Sequence, residues 1–137
     1  MGSRKKSCQE LVMKTVLVAD DEISIRKLYQ RELQREGYNV VCATNAQEAI
    51  QKTRETSPNL VIMDIRMPGM DGLEAMGRIL EENNEIPVVI NTAYSAYKDS
   101  FLSWCADAYV TKSSDLTHLK ETIRKILEDE ENAAQPQ

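Results

Sequence analysis

Apolar residues along this chain fall into two registers. Short, nearly unbroken runs at residues 15–19, 39–43, 59–63, 87–91 and 108–111 alternate with stretches where apolar positions recur every three or four residues. An unbroken run of that length predicts a strand buried on both faces, and the wider spacing predicts a helix with one apolar stripe. The stripes are Ile25, Leu28, Tyr29 and Leu33; Ala46, Ala49, Ile50 and Thr53; Leu73, Met76, Ile79 and Leu80; and Leu116, Leu119, Ile123, Ile126 and Leu127. A further helix is expected from about Ser95 to Cys105. Gly37 follows the first stripe, Asn45 precedes the second and Pro58 ends it, and Asp115 precedes the last. These are the residue types that start and stop helices.

Five strand–helix alternations with doubly buried strands predict an α/β fold, a parallel sheet covered by helices on both faces. Right-handed crossovers make a doubly wound five-stranded sheet of order 2-1-3-4-5 the natural solution. At 137 residues the chain accommodates one such domain. The folded unit is expected over residues 13–128. A leader over residues 1–12 precedes it, where Gly2-Ser3 resembles a cloning remnant and Met13 is an alternative start. The acidic and Ala/Gln/Pro-rich tail, residues 129–137, is expected to fray.

Composition narrows the function classes. Hydrophobic residues make up 42% and charged residues 28%, the profile of a soluble domain, and no apolar run has bilayer-spanning length. The basic start, Met1 to Lys6, has no apolar segment behind it and so does not read as a secretory signal. A net charge of -5 argues against direct nucleic-acid binding. Cys8, Cys42 and Cys105 are odd in number and widely spaced, which suits a reducing cytoplasm better than a disulfide framework or a zinc site.

The chemistry collects at one sheet edge. In a parallel sheet every strand ends on the same side, and Asp20 and Asp21 follow strand one, Asp64 follows strand three, Thr92 ends strand four and Lys112 follows strand five. Strand two ends on Ala43 and contributes nothing. Strands one and three meet where the winding reverses, the ligand-binding point of open α/β sheets. Singly, each residue has a structural explanation: an acidic helix start, a turn carboxylate, a cap, a solvated charge. Together they would be four coincidences on one edge. Crowded carboxylates at an open edge suit Mg²⁺, a hard cation that also binds phosphoryl oxygens. A carboxylate can attack phosphorus to give an acyl phosphate, with positioning and charge neutralisation as the main further needs. Thr92 would then hydrogen-bond one phosphoryl oxygen and Lys112 would pair with another.

Four motifs in this order, Val18-Ala19-Asp20-Asp21-Glu22, Met63-Asp64-Ile65-Arg66-Met67-Pro68-Gly69-Met70-Asp71-Gly72, Asn91-Thr92-Ala93-Tyr94 and Asp107-Ala108-Tyr109-Val110-Thr111-Lys112, make residues 14–128 resemble the receiver domain of two-component response regulators. That resemblance implies a flavodoxin-like three-layer sandwich and a phosphorylation switch. Asp64 matches the aspartate that takes a phosphoryl group from a histidine kinase or histidine phosphotransferase. Asp21, Asp64 and the backbone carbonyl of Arg66 match the Mg²⁺ ligands, with Asp20 acting through water. Lys112 matches the phosphate-binding lysine, Thr92 the switch hydroxyl, and Tyr109 the aromatic whose rotamer follows it. The implied output surface is the face made by the fourth and fifth helices and the fifth strand, which would engage a downstream protein. The implied oligomeric state is a monomer or a phosphorylation-dependent dimer, with neither membrane nor nucleic acid bound directly. Arg66 and Tyr94 flank the phosphoryl position and are expected to tune the lifetime of the acyl phosphate. Ile23, Ser24 and Arg26 begin the first helix beside the site and are expected to touch the kinase. His118, on the last helix, is expected at the surface and not as a phosphodonor.

Two departures stand out. Ser113 follows Lys112 where the family usually has proline in a cis bond, and Cys105 stands where it often has glycine. A non-proline cis bond costs about 3 kcal/mol, so the loop is expected to be rebuilt or strained. Two alternatives remain open at this point. One is a Mg²⁺-dependent phosphatase working through an aspartyl phosphate, although Arg66 stands where such enzymes carry a second aspartate. The other is a pseudo-receiver that binds partners without phosphorylation.

Overall fold

Strand β1, Thr15–Ala19, shows why the apolar runs are unbroken: Val16 and Val18 enter one core, Leu17 and Ala19 the other, and all four are buried. The computed structural model describes residues 13–94 and 102–134. In it β1 joins β2 (Asn39–Ala43), β3 (Leu60–Met63), β4 (Val88–Thr92) and β5 (Ala108–Thr111) in one parallel sheet of order β2-β1-β3-β4-β5. Register runs without interruption, Val18 against Cys42 on one side and against Ile62 on the other, and Ile90 against Tyr109 further along. The expected architecture and strand order are the observed ones.

Helices α1 (Ile23–Arg35) and α4 (Thr117–Ala134) cover one face, and α2 (Ala46–Thr56) and α3 (Gly72–Glu82) cover the other. The stripes face inward as the spacing predicted: Tyr29 and Leu33 from α1, Leu119, Ile123 and Leu127 from α4, and Leu73, Met76 and Ile79 from α3 are all buried. Helix ends follow the punctuation. Gly37, at φ +99°, closes α1 with its N–H on the Gln34 carbonyl and that of Tyr38 on the Leu33 carbonyl, the paired bonds of a Schellman stop. Asn45 accepts from the Glu48 N–H while Glu48 accepts from the Thr44 N–H. Asp115 accepts from both the N–H and the hydroxyl of Thr117.

Four elements differ in extent from expectation. The last helix does not stop at residue 128 but runs to Ala134, and Glu131 lies 3.5 Å from Lys14 at the start of the sheet. The expected helix from about Ser95 lies mostly outside the described residues, and its described end, Leu102–Cys105, is a 3₁₀ turn. Strands three and four begin one residue later than the apolar runs. The Asn59 side chain accepts from the Thr15 N–H, and Pro87 has no N–H to give a ladder. The expected leader, residues 1–12, lies outside the described residues. Among those described, no helix is long and apolar enough to cross a membrane.

Candidate functional site

The sheet edge fixes its residues through their own backbones. The N–H of Asp20 bonds the Ala43 carbonyl, that of Asp64 the Ala19 carbonyl, and that of Lys112 the Thr92 carbonyl, at 3.1, 3.0 and 2.8 Å. Each side chain thus leaves from the last rung of a ladder instead of from a loose loop. The loop after Asp64 is held as firmly. Ile65 and Met67 are buried in the α2–α3 core, Gly69 turns the chain at φ +83°, and the Gly72 N–H returns to the Ile65 carbonyl at 2.8 Å. A Cβ on Gly72 would stand 1.9 Å from the Asp64 carbonyl oxygen, so only glycine lets α3 start this close to the site. The Asp71 carboxylate accepts from the Glu74 N–H and so caps α3 instead of joining the cluster.

One ammonium stands among the carboxylates. Lys112 Nζ lies 2.7 Å from Asp20 Oδ2 and 3.0 Å from Asp64 Oδ2, with Glu22 at 3.9 Å. Asp20 and Asp64 are 2% and 6% exposed, whereas Asp21 is open to solvent. Asp20, Asp21 and Asp64 each offer a carboxylate oxygen, all within 4.8 Å of one another. Burial raises the Asp20 pKa above the usual carboxylate value, against the lowering influence of Lys112 and the Glu22 N–H. Burial pulls Lys112 down, but its bonds to Asp20 and Asp64 win and hold it above an ordinary lysine. Among the described residues, two buried side-chain oxygens lack a hydrogen-bond partner, Asp64 Oδ1 and Thr92 Oγ1, and both belong to this edge. Buried polar atoms are rarely left so.

The serine after Lys112 does not displace it. The described residues contain no cis peptide bond, and across the trans Lys112–Ser113 link the ammonium still reaches both carboxylates. Asp20 contacts the lysine directly, and its backbone carbonyl accepts from the half-buried Arg26 guanidinium, which therefore forms part of the wall of the site. Ile23 and Ser24 are exposed at the start of α1 beside it. Arg66 is exposed, with its guanidinium over the Tyr94 ring, and the Tyr109 hydroxyl donates to the Tyr94 carbonyl. Trp104 and Cys105 are exposed on the turn before β5. His118 is exposed at the start of α4, where it lines a surface cavity with Ser113, Asp115 and Glu121 and lies outside the carboxylate cluster.

Sequence reasoning missed the polar bridge beneath the edge. The buried Tyr29 hydroxyl donates to Asn91 Oδ1 at 2.6 Å, and Asn91 Nδ2 donates to the Val110 carbonyl at 2.9 Å, tying α1 to β4 and β5. The one available signal was an asparagine inside an otherwise apolar strand.

Known proteins share this fold and sequence pattern. The family model for the response regulator receiver domain matches residues 16–124. A probable transcriptional regulator, ycf27, from Cyanophora paradoxa is 37% identical over 90% of this chain and 52% of its own length. The chain thus spans about half the length of the curated relatives it matches. Among solved structures, the response regulator TrrA from Thermotoga maritima, in complex with Mg²⁺-BeF, is 45% identical over 83% of this chain and 99% of its own, with a TM-score of 0.81. TrrA in complex with the histidine kinase ThkA matches at 45% identity over 84% and 99%, with a TM-score of 0.79. Neither a phosphatase nor a partner-binding pseudo-receiver is favoured by these matches. The edge that gathers Asp20, Asp21, Asp64, Thr92 and Lys112 lies at the C-terminal ends of the strands, where open doubly wound sheets in general bind ligands, and the chain belongs to the receiver domain family of two-component response regulators.

Proposed function

We propose that Asp64 is the phosphoryl acceptor of this receiver and that a phosphohistidine on a histidine kinase or histidine phosphotransferase is its donor. The observation that carries this reading is the buried, unpartnered Asp64 Oδ1. Its twin oxygen is engaged by Lys112, so one oxygen is held and charge-compensated while the other retains its lone pairs. In the transfer, the P–O bond to Asp64 forms as the P–N bond to the donor imidazole breaks, and the imidazole leaves with a proton from solvent. Lys112, already between Asp20 and Asp64, carries the positive charge that phosphoryl oxygens need. The Thr92 hydroxyl, buried without a partner, supplies a hydrogen bond to one of them, and Tyr109 responds to its movement.

Mg²⁺ suits the site, since two buried carboxylates and one exposed one converge with a single lysine to balance them. Asp21, Asp64 and the Arg66 carbonyl would hold the ion, with Asp20 alongside. When bound, Mg²⁺ neutralises developing charge on the phosphoryl oxygens. The kinase complex of TrrA supports a histidine kinase as partner, reached through exposed Ile23 and Ser24 with Arg26 steadying Asp20. A cytoplasmic location and a downstream protein bound near β5 and α4 complete the reading, with the protein monomeric or dimerising on phosphorylation. The protein is a switch whose chemistry is confined to itself.

Intact-mass measurement after incubation with Mg²⁺ and acetyl phosphate tests the acceptor. A phosphoryl adduct is expected on the wild type and absent from Asp64→Asn. An adduct of equal size on Asp64→Asn, or sustained turnover of phosphomonoesters, would sink the assignment.

A further inference from the structure

Lys112 leaves from an edge strand, unlike the two aspartates it meets. β1 and β3, which Asp20 and Asp64 follow, each pair with a strand on both sides, whereas β5 ends the described sheet and pairs with β4. β5 is four residues long, and Val110 is its one buried residue. Behind its end lies a cavity of about 320 Å³ lined by Tyr29, Asn91, Val110 and Ser113 among others, so packing is incomplete there. Ser113 is exposed, and its hydroxyl turns forward to accept from the Asp115 N–H. Yet Lys112 Nζ meets Asp20 at 2.7 Å and Asp64 at 3.0 Å at once. A functional group with two fixed partners keeps both only if its support holds it to within about 0.5 Å.

Two buried polar side chains supply a hold. Asn91, on β4 one residue before Thr92, donates from Nδ2 to the Val110 carbonyl at 2.9 Å and accepts from the Tyr29 hydroxyl at 2.6 Å. Tyr29 and Asn91 are each 2% exposed. The same two strands then carry the bond from the Lys112 N–H to the Thr92 carbonyl at 2.8 Å. An apolar pair at 29 and 91 would fill the space without burying polar groups, but it could not pull on a carbonyl. A directional tie is what the polar pair adds.

We propose that Tyr29 and Asn91 form a brace that sets the position of Lys112. Tyr29, anchored in α1, fixes the Asn91 amide, and the amide holds the Val110 carbonyl two residues before Lys112. The brace ties the edge strand to β4 and α1, so that the ammonium falls between Asp20 and Asp64. Both residues act through Lys112 and are positioning residues. Their consequence for phosphorylation rests on the reading that Asp64 takes the phosphoryl group and Lys112 pairs with it.

The test uses the 137-residue chain with Tyr29→Phe, which cuts the brace at its anchor, and Asn91→Leu, which removes it. In the metal-free protein, amide hydrogen exchange at Lys112 is expected to quicken by about 5- to 10-fold, the value of one net hydrogen bond, beyond any change at Asp64. The Asp64 N–H is the control because it bonds the Ala19 carbonyl between interior strands. A merely structural role would quicken both amides alike. With Mg²⁺ and acetyl phosphate, adduct formation followed by intact mass should slow by about 10-fold, as misplaced reacting groups do. The same substitutions made in Lys112→Ala should slow it no further. Equal slowing in both backgrounds, equal quickening at Lys112 and Asp64, or an adduct rate unchanged by either substitution overturns the brace and leaves the Asp64 reading intact. No adduct on the wild type sinks that reading and the brace's role with it.

Discussion

At the scale of single residues, the site keeps polar atoms in states that cost stability. Thr92 Oγ1 is buried without a partner, and an unsatisfied buried hydroxyl costs about 1–3 kcal/mol. Thr92→Val, which removes the hydroxyl and keeps the shape, is therefore expected to stabilise the unphosphorylated protein by about 1 kcal/mol in urea unfolding. Tyr29 is the opposite case, because its hydroxyl is bound to Asn91 and its removal orphans an amide oxygen. Tyr29→Phe should cost about 1–3 kcal/mol in the same measurement. The phenol also sets an alkaline limit. Burial pushes the Tyr29 pKa from 10.0 up to about 12, so the unfolded chain loses that proton first. The contribution of this group is fully present below pH 10 and fades as pH rises towards about 12. Stability measured across that window should fall more steeply in the wild type than in Tyr29→Phe.

At the scale of elements, the segment from Asp64 to α3 is held by several independent constraints. Ile65 and Met67 anchor it in the core, Asp71 caps the helix, and Gly72 lets the helix start against the Asp64 carbonyl. Gly72→Ala places a methyl 1.9 Å from that oxygen, so backbone at α3 or at Asp64 must shift. The expected cost is about 1–3 kcal/mol or more, the range for overpacked cores. Because the displaced atom belongs to Asp64, yield of the phosphoryl adduct should fall with it. Thermal unfolding read beside intact mass checks both, and normal stability with normal phosphorylation would contradict the account. Elsewhere the elements were legible in the sequence. Gly37 and Asn45 closed and opened helices where expected, because a helix terminus needs particular local chemistry.

At the scale of the whole molecule, the site is a concentration of like charge held by one lysine. Asp20, Asp21 and Asp64 offer carboxylate oxygens within 4.8 Å of one another, Lys112 bonds Asp20 and Asp64, and burial raises the Asp20 pKa. A divalent cation bound only by the folded state stabilises it by mass action, about 2.7 kcal/mol at one hundred times its dissociation constant. Mg²⁺ should thus raise the melting temperature by several degrees, and chelation should reverse the rise. Asp21 is exposed, so Asp21→Ala should melt normally without metal and lose the Mg²⁺ response. An unchanged melting curve for the wild type in saturating Mg²⁺ would remove metal from the account.

The sequence by itself determined the strand order, the helix faces and the group of residues on one edge. Each follows from local periodicity combined with the chirality of parallel crossovers. Asp20, Asp64, Thr92 and Lys112 could be placed together because every parallel strand ends on the same side. Only the tertiary structure decided which oxygens Lys112 occupies, that Asp64 Oδ1 and Thr92 Oγ1 remain unpartnered, and that a trans Lys112–Ser113 link serves. It alone decided the Tyr29–Asn91 bridge, the Arg66–Tyr94 stack and the run of the last helix to Ala134. The bridge, the stack and the Lys112 pairs are side-chain contacts between segments distant in the chain, set by packing distances that no local pattern encodes.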